Sequence, residues 1–215
     1  PKHTEIIFAG LVDEECSQAG SRAPGQSKLK ADLAIAGEPT MLKVVTAHKG
    51  NLWLQLETKG KAAHGARPEL GCNAIGAMSG VINLLQTQYA ARLKKRHHPL
   101  LGSPTINIGV IRGGNQPNVV PDRCTIDIDR RTIPGETSTS VRREMNALLH
   151  THNLYVDTLD LKGVPSPALE TNFNLPLVQQ FMRTACCRKP RGVDYFSDAP
   201  PIAMGGTPAI VFGPG

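Results

Sequence analysis

Three acidic residues stand together near the start of the sequence, directly after an apolar run. Asp13, Glu14 and Glu15 lie in VDEECSQAGSR and follow IIFAGL, which is typical of a buried strand. Neighbouring carboxylates disfavour each other's ionisation, so the three either lie in water at a turn or are held by a cation. At a strand end, one carboxylate could bind a metal while its neighbour removes a proton from a metal-bound water. The pattern alone leaves a solvated acidic turn and a metal site both open.

A further acid occupies a similar position later in the chain. Glu38 lies in AIAGEPT, just past another short apolar run. Zinc accepts carboxylate oxygens and histidine nitrogens, and open α/β sheets build their sites where strands end. Acids after two strands therefore favour a shared metal site, with an ordinary turn acid as the alternative.

Three more residues have suitable chemistry but weak patterns. His64 precedes a predicted helix in GKAAHGARPELGCNA, Asn118 lies in GGNQPNVVPD, and Arg131 lies in DRRTIPGE. Taken singly, they are typical of a structural histidine, a turn asparagine and a paired surface charge. Residue types and spacing alone therefore indicate no more than a metal hydrolase as one interpretation.

Composition argues against several kinds of partner. The 215 residues include no apolar run near the ~20 that a membrane-spanning helix needs, so no membrane contact is expected. The net charge of +6 raises nucleic acid as a partner, but the densest basic run, Arg92–His98, ends an amphipathic helix without interleaved aromatics. We expect a solvated helix end and no nucleic-acid binding. The five cysteines include no CxxC pair and fit a reducing cytosol, so a cytoplasmic protein is expected.

Hydrophobic periodicity predicts the elements that position these residues. Ile6–Val12 and Leu33–Ala36 are predicted as short buried strands of a covered, mostly parallel sheet. From Leu52 to Leu161 the pattern predicts the order β-α-β-β-α-β, the signature of a ferredoxin-like split βαβ unit. Beyond it, NLPLVQQFMRTACC is predicted as a helix and PAIVF as a buried strand. The sequence therefore predicts an α/β fold in which a sheet-and-helix domain is interrupted by an α+β domain.

The predicted domain bounds follow from these elements. Residues 1–45 and 163–215 are expected to form the two parts of the sheet-and-helix domain, and residues 46–162 the inserted domain. The sequence starts at Pro1, just ahead of the first predicted strand, and stops just after the last. Both ends are therefore expected to be cut from a longer polypeptide.

Six segments form a specific pattern when they are taken together. They are VDEECSQAGSR, ADLAIAGEPT, GKAAHGARPELGCNAI, GGNQPNVVPD, DRRTIPGE and SDAPPIAMGGTPAIVFGPG, and they span essentially the whole chain. In this order and spacing they resemble the M20 metallopeptidase family, the group of acetylornithine deacetylase, succinyl-diaminopimelate desuccinylase, carboxypeptidase G2 and aminoacylase. The resemblance implies a zinc-peptidase-like catalytic domain and a ferredoxin-like lid that forms a homodimer.

The resemblance also implies roles, position by position. Glu14 matches the general base that activates a metal-bound water, while Glu15 and Glu38 match ligands of the two metals. His64 matches the histidine that the lid gives to the partner subunit's active site, where it stabilises the oxyanion. The positions that match substrate-contacting residues are Asn118, Arg131 and Gly213.

The implied cofactors are two divalent metal ions, with zinc expected and cobalt as the alternative. The family's N-terminal H-x-D, a bridging Asp and a late His do not occur in this sequence, which leaves one ligand for each metal. Two carboxylates without a bridging Asp or any His should bind zinc poorly, so this chain alone is expected to be inactive. Asp198, in SDAPP, matches a recurring acid to which we assign no role.

The implied reaction is hydrolysis of the amide bond of an N-acyl amino acid. SDAPPI followed by GGTPAIVFGPG most resembles the acetylornithine deacetylase branch. Succinyl-diaminopimelate desuccinylase and a general aminoacylase or carboxypeptidase stay open, because small differences in substrate size change specificity only modestly. The non-enzymatic alternative is a pseudo-enzyme that dimerises through the inserted domain.

Overall fold

A computed structural model describes residues 4–14, 18–26, 30–161 and 164–215 of the chain. Within these ranges the strands are β1 (Ala34–Ala36), β2 (Val45–His48), β3 (Gly50–Lys59), β4 (Thr105–Gly113), β5 (Arg123–Thr132), β6 (Asp157–Asp160), β7 (Leu169–Glu170), β8 (Arg191–Val193) and β9 (Ala209–Val211). The α-helices are α1 (Ala19–Gln26), α2 (Ala74–Leu84), α3 (Ala90–Lys94), α4 (Ser138–Thr151), α5 (Pro176–Thr184) and α6 (Ala199–Met204). No helix in these ranges is long and apolar enough to cross a membrane.

The inserted domain is a four-stranded antiparallel sheet with the order β4-β5-β3-β6. Side chains alternate along β3, so Leu52, Leu54 and Leu56 are buried on one face. Helices α2 and α4 cover that face and complete the main apolar core. The observed order β3-α2-β4-β5-α4-β6 confirms the β-α-β-β-α-β prediction.

Local sequence signals start the two long helices of this domain. Asn73 caps α2 by accepting a hydrogen bond from Gly76 N–H, and Thr137 with Ser140 forms a capping box on α4. Helix α2 continues through a π-helical turn, Leu85–Tyr89, into α3. The π turn places Tyr89 in the core, where its side chain is fully buried.

The other sheet has the order β1-β9-β2-β7, with β8 on the second edge of β2. Strand β1 pairs with β9, and β2 with β8, in parallel, whereas β2 runs antiparallel to β9 and β7. The sheet is therefore mixed rather than mostly parallel. The link from β1 to β2 has no helix and is too short for a parallel crossover, which needs about a dozen residues, so β2 turns back.

The prediction of a strand at Ile6–Val12 is wrong. Within the described residues this segment pairs with no strand, and Ile6 and Phe8 are 88% and 94% exposed. An apolar run indicates a need for burial, but the strand that would pair with it and the layer that would cover it are not local properties. The predicted strand Leu33–Ala36 contains β1, and PAIVF contains β9. Strand β9 is buried as predicted, whereas β1 is only partly buried, with Ile35 49% exposed.

The two domains meet where β2 leads through Lys49 into β3. A Cβ on Gly50 would lie 2.6 Å from Ser166 O and Ala168 N, so only glycine fits where the chain crosses between the domains. The return crossing is tied by backbone hydrogen bonds in both directions between Asn51 and Ser166. The predicted inserted range 46–162 includes Thr46–His48, which the structure places in β2 of the first sheet.

Candidate functional site

Asp13 and Glu14, the two described residues of the acidic segment, lie at a turn. Asp13 has a φ of 66°, a left-handed conformation that Asp tolerates, and its carbonyl accepts a hydrogen bond from Gln18 N–H at 2.8 Å. Glu14 follows in the turn and is half-buried. Glu15, the predicted metal ligand, lies outside the described residues. Gly20 N–H in α1 donates to the Val12 carbonyl at 3.1 Å, so Val12 and Asp13 lie beside the start of α1.

Glu38 and Gly213 are brought together by the first sheet. They follow β1 and β9, which are parallel neighbours in the register Ala36 to Val211. A Cβ on Gly213 would lie 3.2 Å from the Glu38 carbonyl carbon, so the glycine permits this approach. The Thr40 hydroxyl fixes the loop, because Gly213 N–H donates to its oxygen at 3.1 Å. These two predicted site residues therefore share one strand-end cluster.

Tyr195 joins this cluster and was missed by the sequence reasoning. Its hydroxyl donates to the Pro39 carbonyl at 3.1 Å, next to Glu38. Burial raises the pKa of the Tyr195 phenol, and the negative charge of Glu38 raises it further. The signal was close at hand, since Tyr195 lies three residues before the motif acid Asp198.

His64 and Asn118 are brought together in the inserted domain. His64 forms an isolated bridge with Val119, and Gly65 N–H donates to the Asn118 carbonyl at 2.7 Å. Ala66 N–H donates to His64 Nδ1 at 3.1 Å, so neutral His64 carries its proton on Nε2. Both side chains are exposed. The pair can therefore present an N–H donor and an amide outward.

A groove of about 570 Å³ lies beside this pair. It is lined by main-chain atoms, amides and apolar side chains, and its lining includes no ionisable residue. The residues that line the groove include Gly65, Ile75, Asn115, Gln116 and Val119.

Arg131 lies on the open face of the inserted sheet, opposite the helices. Its Nε donates to Asp129 Oδ2 at 3.1 Å, and its guanidinium carbon is 5.8 Å from the centre of the Phe196 ring. Phe196 belongs to the first domain. The predicted substrate arginine therefore lies at the contact between the domains.

Its neighbour Arg130 has a different, structural role. Arg130 is fully buried on the helix side of the sheet, where it pairs with Glu136 at 2.6 Å and donates to Tyr89 Oη at 3.3 Å. Arg96 pairs with the same Glu136 carboxylate. Burial raises the pKa of the Tyr89 phenol. Because side chains alternate along β5, Arg130 lies in the core and its sequence neighbour Arg131 lies at the domain contact.

His48, at the end of β2, is completely buried. Its Nδ1 donates to the Lys49 carbonyl at 2.9 Å, so its Nε2 accepts from the Ser197 hydroxyl at 3.0 Å. Burial lowers the pKa of this imidazole to about 4. The pair ties β2 to the segment before α6.

Residues 194–198 connect the parts of the site. Successive side chains of this segment reach the domain junction, the Glu38 loop, the inserted sheet and β2. The contacts are Asp194 with Lys49, Tyr195 with Pro39, Phe196 with Arg131, and Ser197 with His48. Asp198 follows, and its Oδ1 is buried without a hydrogen-bond partner in the part of the chain that the structure describes.

The donors for a metal are incomplete in the described part of the chain. Across residues 4–14, 18–26, 30–161 and 164–215, no group of three His, Cys, Asp or Glu side chains is placed to hold a metal ion. Glu38 is the one predicted ligand in these ranges. The described residues therefore do not by themselves fit a zinc site.

The fold and the site define a class of protein. It is a two-domain α/β protein in which the inserted ferredoxin-like domain contacts polar residues near strand ends of the first domain. The peptidase dimerisation domain of the M20 family matches residues 46–157. The chain therefore belongs to the M20 peptidase family. This confirms the family and the inserted dimerisation domain expected from the sequence.

Curated relatives match along the whole chain. The acetylornithine deacetylase of Vibrio cholerae serotype O1 (strain M66-2) is 31% identical over 100% of this chain and 58% of its own length. The acetylornithine deacetylase of Edwardsiella ictaluri is 32% identical over 98% of this chain and 56% of its own length. The chain thus spans little more than half the length of these relatives.

Solved structures share the fold. A tripeptidase from Staphylococcus aureus has a TM-score of 0.63 at 21% identity and covers 90% of this chain and 53% of its own. Aminopeptidase PepT from Bacillus cereus has a TM-score of 0.63 at 22% identity, with 90% and 52% covered. At this identity the likeness concerns the fold alone.

Proposed function

We propose that the protein containing this chain hydrolyses the amide bond of an N-acyl amino acid, with an acetylornithine deacetylase-like specificity. The observation that carries the proposal is the match along the whole chain to proteins named acetylornithine deacetylase. Two pairs of predicted site residues also support the proposal, because their members are far apart in sequence and adjacent in the structure. The pairs are Glu38 with Gly213, and His64 with Asn118.

The residues of this chain have distinct chemical tasks in such a reaction. Glu14, half-buried in its turn, acts as the general base that takes a proton from water and passes it to the leaving amine. His64 offers Nε2–H, and Asn118 its amide, to the oxyanion that forms in the transition state. Arg131 binds the substrate's carboxylate, for which a guanidinium is the natural partner.

The proposed enzyme uses two divalent metal ions, which are zinc or cobalt. Among the described residues only Glu38 is a predicted ligand, and Glu15 is the other predicted donor of the chain. We expect this chain alone to bind zinc weakly and to lack turnover, because two carboxylates without histidine are a poor zinc site.

The inserted domain is proposed to form a homodimer and to bring His64 to the partner subunit's site. The match to a peptidase dimerisation domain over residues 46–157 supports this role. Movement of the inserted domain about the Lys49 junction would assemble the site and exclude water.

A substrate panel tests the proposal in the protein containing this chain, at its full length and with zinc added. Release of acetate from N-acetylornithine, faster than release of succinate from N-succinyl-diaminopimelate, is the expected result. Preference for the succinyl substrate, or for a broad set of acyl amino acids, would move the protein to another branch. Absence of turnover on every N-acyl amino acid, with metal bound, would favour the dimerising pseudo-enzyme instead.

A further inference from the structure

A row of polar side chains crosses the open face of the inserted sheet at the domain contact. Asn51 on β3 lies directly opposite Arg131 on β5, and Ser166 lies opposite Asn51 on its other side. Directly paired residues on antiparallel strands have side chains on the same face, with Cβ atoms about 5 Å apart. Arg131, Asn51 and Ser166 are therefore consecutive neighbours on one surface.

Several polar atoms in this row have no hydrogen-bond partner among the described residues. Within that part of the chain Asn51 Oδ1 and Ser166 Oγ are buried without one, and the two residues are only 8% and 4% exposed. Asp129 binds Arg131 through Oδ2, while its Oδ1 is likewise buried and unpartnered. Buried polar groups in proteins are nearly always hydrogen-bonded, and leaving one unpaired destabilises the fold. Asn51 and Asp129 are the neighbours of Arg131 on this face, and Ser166 lies beyond Asn51, so unpaired acceptor atoms stand beside a cation.

The chemistry of these atoms specifies the ligand. Arg131 supplies a cation and donors, which suit a carboxylate. Asn51 Oδ1 and Asp129 Oδ1 are acceptors, which require an N–H or O–H donor. A carboxylate with a donor close to it is the arrangement of an α-amino acid whose nitrogen still carries hydrogen. Phe196 of the first domain lies beside the arginine, with its ring centre 5.8 Å from the guanidinium carbon.

We propose that Asn51 Oδ1 receives the amide N–H of a substrate whose carboxylate binds Arg131. Asn51 then selects N-acyl amino acids with a free amide hydrogen over those whose nitrogen is alkylated. This inference rests on the proposed function for the identity of the substrate, and it adds a residue that recognises the substrate's nitrogen.

Binding measured without turnover tests the inference. The 215-residue chain has a single tryptophan, Trp53, which is partly exposed and lies directly opposite Asp129, so its fluorescence reports on this row. The probes are N-acetylglycine and N-acetylsarcosine, which differ by one methyl group in place of the amide hydrogen. One hydrogen bond made only by N-acetylglycine predicts about fivefold tighter binding of that probe. The titrations use no added metal, so hydrolysis does not compete.

Single substitutions test whether the row of Asn51 and Arg131 causes the preference for N-acetylglycine over N-acetylsarcosine. Asn51→Ala should bind both probes equally, mainly by weakening N-acetylglycine, and Arg131→Gln should lose binding of both. Asn83→Ala is the matched control, since Asn83 is exposed on α2 on the other side of the sheet, and it should keep the wild-type ratio. Circular dichroism spectra would verify that each variant is folded.

Several results would overturn the inference. They are equal binding of the two probes by the wild-type chain, a preference that survives in Asn51→Ala, binding unchanged by Arg131→Gln, or no saturable binding of either probe. Such results leave amide hydrolysis untouched, because they concern recognition and not turnover. Conversely, an intact fivefold preference in a protein that hydrolyses no N-acyl amino acid would leave the binding row standing and refute the proposed function.

Discussion

At the residue scale, the environment of each charged side chain separates structure from chemistry. Arg130 and Arg131 are adjacent in sequence, yet alternation along β5 buries the first in the core and turns the second to the domain contact. The Arg130 guanidinium is compensated by Glu136 and accompanied by Tyr89. Arg131 contacts residues of both domains, and its neighbours Asn51 and Asp129 have acceptor atoms without a partner among the described residues. Only the second has the surroundings of a ligand-binding group.

Glu136→Gln tests the structural role of the buried pair. The substitution leaves the Arg130 charge buried without its counter-ion, and breaking such a pair typically costs about 3–5 kcal/mol. We expect a loss of that order in the free energy of unfolding, measured by urea denaturation. Glu144→Gln is the control, because Glu144 pairs with the more exposed Arg96 and should cost less than about 1 kcal/mol. Equal effects of the two substitutions would refute a special role for the Arg130 pair.

At the element scale, the sequence predicted correctly those helices and strands whose signals lie within a few neighbouring residues. The order of elements in the inserted domain was predicted correctly because the alternation of Leu52, Leu54 and Leu56 and the residues that precede its helices act within a few positions. The failed strand at Ile6–Val12 depended on a partner that no local pattern identifies. Tyr195 and Ser197 were missed for the same reason, since their contacts reach residues 156 and 149 positions away.

The buried His48 should make stability depend on pH. Its pKa falls from 6.5 to about 4 on folding, so between these values the unfolded state binds more protons and stability rises with pH. The contribution is present above pH 6.5 and is lost as pH falls toward 4. Urea denaturation should show a loss of about 2 kcal/mol between pH 7 and pH 5 from this residue.

His48→Gln isolates that contribution. The variant should depend less on pH over this interval than the parent by about the same 2 kcal/mol, since the neutral amide does not titrate. His97→Gln, at an exposed position, should keep the parent's dependence. A steeper loss in His48→Gln than in the parent would contradict the assignment.

At the scale of the whole molecule, the two domains are coupled through a few side chains at one junction. Lys49 pairs with Asp194 at 2.8 Å, and His98 lies 3.2 Å from Glu170, each contact joining the inserted domain to the first. Residues 194–198 extend this contact from the Glu38 loop to Arg131. A change in the angle between the domains would therefore alter the surroundings of the Glu38 loop and of Arg131 at once.

Among the described strands, β4 forms a long outer edge of the inserted sheet, which supports a specific dimer contact. Strand β4 is an outer strand of nine residues, and Ile111 on it is 56% exposed. An unpaired edge is a template for pairing with another strand, and a lysine there prevents it. Ile111→Lys should therefore lower the dimer fraction in sedimentation velocity. Leu159→Lys, on the short outer strand β6, is the matched control and should leave the dimer intact; the reverse result would place the interface on β6.

The central claim is that the protein containing this chain is an amide hydrolase whose general base is Glu14. Release of acetate from N-acetylornithine by the full-length protein and by its Glu14→Gln variant, at equal metal content, tests it most directly. General-base catalysis contributes about 10²–10⁴ in rate, so we predict a fall in kcat of at least about a hundredfold without loss of fold or metal. Turnover by Glu14→Gln at the wild-type rate would contradict the account.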